Sequence, residues 1–475
     1  MKKTKIICTI GPSSSKYKIF RKMVLAGLNV ARINFSHATE EEREKVLNLI
    51  ERANKEFNTH IAVLFDTKGP DFRTGNMKNN AIKLVSGKTI RILKEDVLGT
   101  EESFTVNYKQ SLKCISVNDI ILLEDGLMRL EVIGKDKKGL TCKIIDGGIL
   151  GSRKSISVLG VKLNLPFISK ADKEDIIYAC KHNGDFLALS FVSSADDIRK
   201  VKTILKKQRR EDMQIISKIE SSSALKNLDE IIKESDGVMV ARGDLGVEMP
   251  MDMLPIIQKS IIEKCRKAGR ICIVATEMLA SMYKNARPTR AEISDIANAV
   301  LDGTDAVMLS GETTIGKHPI EAVEYMAQTC ETAESYYNYE NQSPLSRTSI
   351  ASAIAHNVVE TSNLLDIKVI VAATASGYTA KLISTLKPKS PIVALCTTEK
   401  TAKSLALNYG VYPKIAREFD SLDKTMQCAR NEAIRFMKLD RGDRIILTGG
   451  FPKITGEKAT NFMKIDTIKK SDFNE

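Results

Sequence analysis

Three charged side chains in the middle of the chain have the types and the spacing to act on a phosphorylated substrate. Glu220 lies two residues after Lys218, and Asp244 follows the next short apolar run. Two carboxylates suit one hard divalent cation, Mg²⁺ or Mn²⁺, because Mg²⁺ usually takes one or two protein carboxylates plus water and substrate oxygens. The Lys218 ammonium offers a compact positive charge to a phosphoryl group or a developing oxyanion. An ordinary salt bridge at the rim of the protein is the alternative interpretation.

A second set of polar residues follows two earlier apolar runs and offers only oxygen ligands. Such oxygens suit a weakly hydrated monovalent cation beside a phosphate, although each residue alone is more often a turn or cap residue. The set is Asn34, Ser36, Asp66 and Thr67. Arg32 and Arg73 add guanidinium groups that suit phosphate oxygens.

These residues need a scaffold that brings distant parts of the chain together, and the spacing of the apolar runs predicts it. The runs begin at Ile6, Val30, Ile61, Phe186, Ile215, Val238, Ile271 and Ala306. Apart from one long gap, they recur roughly every 25–35 residues with helix-like stretches between them, which is typical of a (β/α)₈ TIM barrel. Nearly every run ends in polar or ionisable residues. Because only the carboxyl ends of barrel strands reach a substrate, we expect these residues to form one catalytic face.

The long gap after the third run has a different pattern. Alternating segments such as 89–92 are separated by turns such as 134–139, which is typical of antiparallel strands. We expect 70–166 to be an inserted β-barrel lid domain, and 1–69 with 167–336 to form the catalytic barrel. In 337–475 predicted strands at 369–372, 392–395 and 444–447 alternate with helical stretches, so we expect a C-terminal α/β regulatory domain there.

Composition argues against several other classes. The chain has 475 residues and no apolar run near the roughly 20 residues of a membrane span, so we expect a cytoplasmic protein without membrane contact. The nine cysteines form no CxxC pair and are interpreted as reduced thiols. The net charge of +13 permits nucleic-acid binding, but the lysines are dispersed and there is no Trp to stack on bases. We therefore expect no nucleic-acid partner, since an anionic substrate explains the charge equally well.

Six motifs, in order along the chain, resemble those of the pyruvate kinase family. They span 31–37, 66–70, 217–220, 239–246, 275–279 and 287–292 and read ARINFSH, DTKGP, SKIE, MVARGDLG, ATEML and RPTRAE. Six ordered motifs are far more specific than one short pattern. The resemblance implies transfer of the phosphoryl group of phosphoenolpyruvate to ADP, giving pyruvate and ATP in the last step of glycolysis. It also implies two Mg²⁺ ions and usually K⁺.

The resemblance implies a role for each of the three charged residues Lys218, Glu220 and Asp244, which we call the central cluster, and for two residues near them. Glu220 and Asp244 would bind the protein-held Mg²⁺, and the backbone N–H groups of Gly243 and Asp244 would receive the substrate carboxylate. Lys218 would stabilise the transferring phosphoryl group and the enolate. Thr276 would also bind the substrate carboxylate.

The resemblance extends to the K⁺ and nucleotide sites. The implied K⁺ ligands are Asn34, Ser36, Asp66 and Thr67. Arg32 and Arg73 would bind phosphates, and His37 would lie near the nucleotide together with Asn34 and Arg73.

Proton transfer is assigned to the loop after the eighth run. Ser310 and Glu312 would help Thr276 to order the water chain that protonates the enolpyruvate. The catalytic residues that the resemblance implies are Lys218, Thr276, Arg32, Arg73 and Ser310.

Three positions depart from the usual pattern of the family. Ala171 stands where many members carry a Lys that meets the nucleotide phosphates, and the sequence does not show whether Lys170 or Lys173 replaces it. Asp71 stands where K⁺-dependent members commonly have Glu and K⁺-independent members Lys, so we expect K⁺ activation. Glu277 stands where Gln is common.

The C-terminal region carries a hydroxyl-rich loop at a predicted helix start, where backbone N–H groups favour a phosphate. Its residues include Thr374, Ser376, Gly377 and Thr379. The resemblance places an effector site here, for a sugar phosphate or AMP, and an ordinary capped turn is the alternative. The family also implies a homotetramer.

Two other functions share parts of this pattern. A metal-dependent aldolase or lyase for pyruvate-type enolates would share Glu220 and Asp244, but it would not need Lys218 with a monovalent-cation site and a lid. A basic RNA-binding or scaffold protein that keeps the barrel would bind RNA in a salt-sensitive manner, and the dispersed lysines argue against it.

Overall fold

The computed structural model describes residues 1–70, 72–161, 163, 165–339, 349–416, 421–450 and 460–473. Its strands are β1 (Lys5–Thr9), β2 (Val30–Asn34), β3 (Ala62–Asp66), β4 (Ala81–Leu84), β5 (Thr89–Leu93), β6 (Ser103–Thr105), β7 (Ile120–Leu123), β8 (Met128–Lys135), β9 (Gly139–Asp146), β10 (Gly148–Gly151), β11 (Ile156–Val158), β12 (Phe186–Leu189), β13 (Gln214–Ile219), β14 (Gly237–Ala241), β15 (Ile271–Ala275), β16 (Ala306–Leu309), β17 (Val369–Thr374), β18 (Ile392–Cys396), β19 (Val411–Ile415), β20 (Arg444–Gly449) and β21 (Phe462–Thr467). The α-helices are α1 (Tyr17–Ala26), α2 (Glu40–Phe57), α3 (Lys170–Lys181), α4 (Ala195–Lys207), α5 (Ser222–Lys226), α6 (Leu228–Glu234), α7 (Arg242–Glu248), α8 (Leu254–Ala268), α9 (Arg290–Asp302), α10 (Gly311–Thr314), α11 (Pro319–Ser335), α12 (Ile350–Leu364), α13 (Tyr378–Thr385), α14 (Glu399–Ser404) and α15 (Leu422–Met437).

Eight parallel strands form a closed barrel, and all eight apolar runs of the sequence lie in them. The order around the barrel is β1-β16-β15-β14-β13-β12-β3-β2. The strands are almost wholly buried, because their inner side chains fill the barrel and their outer side chains pack against the surrounding helices. In the ladder between β2 and β3, Asn34 lies directly opposite Asp66. The predicted TIM barrel is confirmed.

Local signals in the sequence fix where the barrel helices begin. At the start of α2, the Thr39 hydroxyl accepts from the Glu42 backbone N–H at 3.3 Å, and the Glu42 carboxylate accepts from the Thr39 N–H at 2.8 Å. This capping box satisfies two N–H groups that have no partner inside the helix. None of the helices in the described ranges combines the length and the apolar character needed to cross a membrane.

The segment between β3 and β12 folds separately around its own core. Its strands form a six-stranded sheet in the order β11-β7-β8-β9-β5-β6 and a two-stranded pair of β4 and β10. Between β7 and β8 the chain turns through Glu124, Asp125 and Gly126, all with left-handed φ angles of 50°, 55° and 86°. Gly126 lies against the barrel, since a Cβ at this position would sit 3.7 Å from Val247. The lid therefore contacts α7 through this turn.

The C-terminal region is an α/β domain, as predicted, with a five-stranded sheet in the order β19-β18-β17-β20-β21. Helices cover both faces of this sheet over two apolar clusters. Ala406 and Leu407, which follow α14, belong to the apolar cluster inside the barrel rather than to the core of their own domain. The C-terminal domain thus closes the amino-terminal end of the barrel.

Asp185, just before β12, gives the barrel a pH-dependent stability. Desolvation raises the pKa of this carboxyl to about 6, and the N–H of Val63 and the cations Lys403 and Arg210 only partly oppose it, while Asp212 adds to it. The folded protein therefore binds a proton at Asp185 more tightly than the unfolded chain does. The bound proton stabilises the fold at low pH, and this contribution is lost as pH rises through about 6.

We expect Asp185→Asn to raise the unfolding temperature at pH 8 by roughly 2 °C and to change it little at pH 4.5. The amide keeps an oxygen that can accept from Val63, but it carries no charge to desolvate. Scanning calorimetry at the two pH values checks this, and a lower unfolding temperature for the variant at pH 8 would contradict it.

Candidate active site

Lys218 and Glu220 meet at the carboxyl end of β13, because side chains two residues apart on a strand point to the same side. The Lys218 ammonium lies 2.9 Å from the Glu220 carboxylate and donates to the Ser190 hydroxyl at 2.8 Å. The second Glu220 oxygen accepts from the backbone N–H of Phe191 at 2.6 Å. Ser190 and Phe191 follow β12, so two neighbouring strand ends hold the pair. The sequence did not assign these two supporting roles.

The electrostatic environment keeps the ammonium charged and leaves the carboxylates short of positive charge. Burial alone would lower the pKa of Lys218, but Asp66 and Glu220 outweigh it and raise that pKa. Burial raises the pKa of Glu220 to about 7, which Lys218 opposes and Asp244 reinforces. The single Lys218 ammonium thus balances only part of the negative charge of Asp66, Glu220 and Asp244, and the cluster favours a further cation.

Asp244 stands beside Glu220 at the start of α7, close enough for the two carboxyl groups to affect each other's pKa. The surface of Asp244 is open to solvent, yet the surrounding barrel and lid atoms desolvate it enough to raise its pKa. Asp125, in the lid turn, is close enough to add to this effect. The sequence analysis did not identify Asp125, because only the fold shows that this lid turn lies over α7.

Asp66 links the central cluster to the predicted cation ligands. Its two carboxylate oxygens face Arg32 Nε at 2.7 Å and Lys218 Nζ at 3.3 Å, and these cations lower its pKa against the opposing effect of burial. Asn34 is its register partner, and the Asn34 side-chain oxygen accepts from the Ser36 N–H at 3.0 Å. The Thr67 hydroxyl accepts from the Ser190 N–H at 3.2 Å. The four predicted K⁺ ligands therefore lie at the ends of two adjacent strands.

Thr276 is held in a strained backbone conformation next to the start of α7. Its φ is 68° and that of Glu277 is 54°, a left-handed region that is unusual for a β-branched residue. The Thr276 hydroxyl accepts from the Gly243 N–H at 2.8 Å and donates to the Ala275 carbonyl at 2.6 Å, so both groups predicted to bind the substrate carboxylate already have partners. Arg242 donates to the Thr276 carbonyl at 2.7 Å and pairs with both oxygens of Asp295. Arg242 thus positions Thr276, a role that the sequence did not assign.

Glu312 joins the loops after β15 and β16. Its carboxylate is buried and accepts from the Leu279 N–H at 3.1 Å and the Ser310 N–H at 2.8 Å. Desolvation raises the pKa of this carboxyl despite these two donors. Ser310 and Glu312 are therefore fixed relative to each other beside the loop that carries Thr276.

The remaining predicted site residues lie farther from the cluster of Lys218, Glu220 and Asp244. Arg73 is exposed on the lid, where its guanidinium donates to the Arg153 carbonyl at 2.8 Å, and His37 is exposed after β2. Lys170 and Ala171 are both exposed in the first turn of α3, as is Lys173. Asp71 lies outside the described residues.

The predicted effector loop lies between β17 and α13. Gly377 has a φ of 82° and precedes the first residue of α13. Thr374 and Thr379 are buried, and the Thr379 hydroxyl lies 2.7 Å from that of Thr460, whereas Ser376 is exposed.

The fold and the cluster together define a class: barrel enzymes that act on an anionic substrate with acidic and cationic side chains at the strand ends. In the described part of the chain no group of three or more His, Cys, Asp or Glu side chains could hold a metal ion. A divalent cation would therefore have to complete its coordination with water and substrate oxygens.

Comparison with known proteins identifies the family within this class. The model of the pyruvate kinase barrel domain matches residues 1–323, and that of the pyruvate kinase alpha/beta domain matches residues 352–466. The chain belongs to the pyruvate kinase family. A pyruvate kinase of Staphylococcus epidermidis is 44% identical over 475 residues, which cover 98% of this chain and 81% of the relative.

Further relatives agree. A pyruvate kinase of Geobacillus stearothermophilus is 42% identical over 474 residues, which cover 98% of this chain and 80% of that protein. A crystal structure of a pyruvate kinase from Cryptosporidium parvum matches with a TM-score of 0.92 and 35% identity, covering 98% of this chain and 96% of that one. The chain is accordingly a phosphotransferase of phosphoenolpyruvate and ADP, and an aldolase or lyase reaction is not favoured.

Proposed function

We propose that this chain transfers the phosphoryl group of phosphoenolpyruvate to ADP between the mouth of the barrel and the lid, with Lys218 at the centre of the reaction. The observation that carries the proposal is the contact of the Lys218 ammonium with Glu220, Ser190 and Asp66 from three different strand ends. An ammonium held so firmly stabilises charge on the phosphoryl oxygens and then on the enolate, without reorganising during the reaction.

Glu220 and Asp244 would hold the divalent cation, Mg²⁺ or Mn²⁺. The donor chemistry supports this assignment, because two adjacent carboxyl groups with raised pKa values gain from a cation that balances their charge. When bound, the cation neutralises charge on the substrate oxygens and helps to orient them. Asp125 lies on the lid side of the same position and adds negative charge there.

The substrate carboxylate binds at the start of α7, where the N–H groups of Gly243 and Asp244 and the Thr276 hydroxyl face the cleft. A helix start with N–H groups outside the helical pattern favours an anion. The carboxylate would replace two present bonds, that from the Gly243 N–H to the Thr276 hydroxyl and that from the hydroxyl to the Ala275 carbonyl, and each of the two groups would then donate to it. Ser310 and Glu312 order the water that delivers a proton to the enolate carbon, which completes pyruvate.

The nucleotide side uses the guanidinium groups of Arg32 and Arg73, with His37 and Asn34 nearby. Arg32 is buried and fixed by Asp66 and by the Thr9 hydroxyl at 2.7 Å, so its remaining N–H groups have a defined direction. Arg73 belongs to the lid, so closing of the lid would bring it to the phosphates.

Other parts of the proposal concern the whole molecule. We place the lid at 70–166 and the regulatory domain at 337–475, with an effector, a sugar phosphate or AMP, at the loop from Thr374 to Thr379. A homotetramer in the cytoplasm is the expected assembly and location. Light scattering tests the assembly, and titration of sugar phosphates or AMP into the assay tests the effector.

The proposed reaction is tested by a coupled assay of pyruvate formation with phosphoenolpyruvate, ADP and Mg²⁺. Pyruvate that forms only when all three are present supports the proposal. Cleavage of an oxo acid with no pyruvate from phosphoenolpyruvate would overturn it.

The same assay tests the monovalent site formed by Asn34, Ser36, Asp66 and Thr67. We expect K⁺ to raise kcat/KM at least about tenfold over tetramethylammonium at equal ionic strength, which corresponds to about 1.4 kcal/mol of transition-state stabilisation. Oxygen ligands can coordinate K⁺ directly, whereas the methyl groups of tetramethylammonium keep its charge away from such ligands. Equal activity in the two salts would show that these residues do not form an activating K⁺ site.

A further inference from the structure

A cavity of about 80 Å³ lies between the amino-terminal end of the barrel and the C-terminal domain, far along the strands from the catalytic face. Gln214, Asp236, Arg266 and Asp305 line it from the barrel, and Lys387 and Asn408 line it from the C-terminal domain. A single buried water needs only roughly 10–15 Å³, so this cavity has room for an ion with several oxygens. We call it the interdomain cavity.

Cations outnumber anions around the interdomain cavity. Its lining contains four cationic side chains and two carboxylates. The cations are Arg266, Arg270, Lys381 and Lys387. Both carboxylates already have partners, because Asp236 accepts from the Ile215 N–H at 2.9 Å and Asp305 accepts from the Cys272 N–H at 2.8 Å and from Lys387. The lining therefore carries an excess of positive charge that suits an anion.

Two polar groups of the lining lack the partners that such groups normally have. The Asn408 residue is 6% exposed, and its side-chain oxygen is buried without a hydrogen-bond donor among the described residues. The Arg266 guanidinium, which is half-buried, makes no hydrogen bond or ion pair with any residue in the described ranges. Because the Asn408 oxygen is buried without a donor, a ligand that donates to it and also pairs with Arg266 gains affinity.

The two unpaired groups require a ligand that both accepts and donates hydrogen bonds. Arg266 is a donor and needs oxygens with negative charge, whereas the Asn408 oxygen is an acceptor and needs an O–H or N–H. The hydrogen phosphate dianion has both, since it carries three charged oxygens and one O–H. Sulfate has the charge and the shape but no proton to donate.

We propose that the interdomain cavity is a binding site for hydrogen phosphate or for the phosphate end of a small phosphate monoester. Arg266 and Lys381 bind the charged oxygens, and the Asn408 side chain accepts from the protonated oxygen or from a hydroxyl of the ester. The site is separate from the effector loop, which lies at the opposite end of α13. Lys381 belongs to the middle of that helix, and Lys387 and Asn408 lie beyond its end.

The position of the cavity links it to the catalytic strands. Gln214 begins β13, Asp236 and Asp305 immediately precede β14 and β16, and Ile271 begins β15. The opposite ends of these four strands lead to the catalytic cluster, to α7, to the strained loop and to Ser310. An anion here would tie the C-terminal domain to the four strands that carry most of the catalytic residues.

Isothermal titration calorimetry at pH 8 tests the proposal on the full-length protein, with inorganic phosphate, sulfate and glycerol phosphate as separate probes at matched ionic strength. The informative variant is Arg266→Gln, and its matched control is Lys267→Gln. Lys267 is the next residue on α8, is exposed and pairs with Glu263 instead of lining the cavity. Neither substitution lies at the catalytic face or at the effector loop, so phosphate that binds at those places should have the same affinity for both variants.

We expect wild type and Lys267→Gln to bind phosphate alike, and Arg266→Gln to bind it at least about tenfold more weakly, as befits a lost charge-assisted hydrogen bond. Wild type should prefer phosphate to sulfate, and Asn408→Leu should lose that preference. Glycerol phosphate that binds more tightly than phosphate would identify the ligand as an ester, and the reverse order would identify the free ion. Equal phosphate affinity in Arg266→Gln and Lys267→Gln, or no preference over sulfate in wild type, would overturn the proposal whatever the catalytic activity.

Discussion

Lys218→Met is expected to lower turnover by about 10²–10³-fold, the loss that follows removal of one preorganised group that stabilises transition-state charge. Methionine fills a similar volume but carries no charge, so the barrel core should keep its packing. The Lys218 ammonium is buried and contacts Glu220, Ser190 and Asp66. We assign this catalytic role to no other lysine among the described residues. Steady-state kinetics with saturating phosphoenolpyruvate and ADP measure the effect.

Two further measurements separate this role from a structural one. Mn²⁺ binding at pH 8 should remain close to that of wild type, because the variant keeps both Glu220 and Asp244. Lys226→Met, at an exposed lysine on α5, should leave turnover unchanged. Turnover near the wild-type value in Lys218→Met would overturn the role assigned to the ammonium.

Glu220→Gln and Asp244→Asn are each expected to weaken Mn²⁺ binding by at least about 10–100-fold, which is already typical when only a supporting partner of a metal ligand is removed. An amide can offer one neutral oxygen but no charge, and hard divalent cations bind carboxylates in preference. Turnover should fall with the metal affinity and recover in part at high Mn²⁺ concentration. Electron paramagnetic resonance of free Mn²⁺ measures the binding directly.

A matched control for these variants is Glu230→Gln, on the exposed face of α6. It removes one negative charge nearby in sequence but outside the cluster, so Mn²⁺ binding and turnover should be unchanged. Mn²⁺ affinity equal to wild type in both Glu220→Gln and Asp244→Asn would place the metal elsewhere.

The sequence predicted the barrel and the end of the barrel at which polar side chains gather, because both follow from periodic patterns. Each apolar run marks a strand that is buried on two faces, and the polar residue after the run marks the point where the strand reaches solvent. The sequence also put Lys218 and Glu220 at the end of one apolar run, and the structure shows their contact, since residues i and i+2 of a strand share a side. These features depend on local sequence and on the closure of the barrel.

Supporting contacts at the same end of the barrel were not predictable in this way. The Phe191 N–H is a backbone donor, so its side chain gives no indication of its contact with Glu220. Asp125 reaches Asp244 only because the lid turn lies on α7. The left-handed conformation of Thr276 is opposite to its own preference and is imposed by tertiary contacts such as that of Arg242.

The C-terminal domain shows the same limit. Its three central strands were predicted from apolar runs, whereas the two edge strands, β19 and β21, were missed. Edge strands are partly exposed, and β19 also contains Pro413, which is tolerated at an edge but weakens the strand pattern. The sequence also predicted a turn at 134–139, but β8 extends to Lys135 and β9 begins at Gly139, so the turn is shorter.

Contacts between domains had no signal in the sequence at all. Ala406 and Leu407 are ordinary apolar residues whose place inside the barrel depends on how the C-terminal domain docks. The interdomain cavity likewise combines side chains from separate parts of the chain, among them Arg266 and Asn408.

The central claim is that the cluster of Lys218, Glu220 and Asp244 moves a phosphoryl group from phosphoenolpyruvate to ADP. Phosphorus nuclear magnetic resonance of one reaction mixture with Mg²⁺ and K⁺ tests it most directly, because it follows the phosphorus atom itself. We predict that the phosphoenolpyruvate signal decreases one-for-one as the γ-phosphate signal of ATP increases, and that excess chelator stops both changes. A phosphoenolpyruvate signal that persists in the complete mixture, or that is replaced by inorganic phosphate instead of ATP, would contradict the claim.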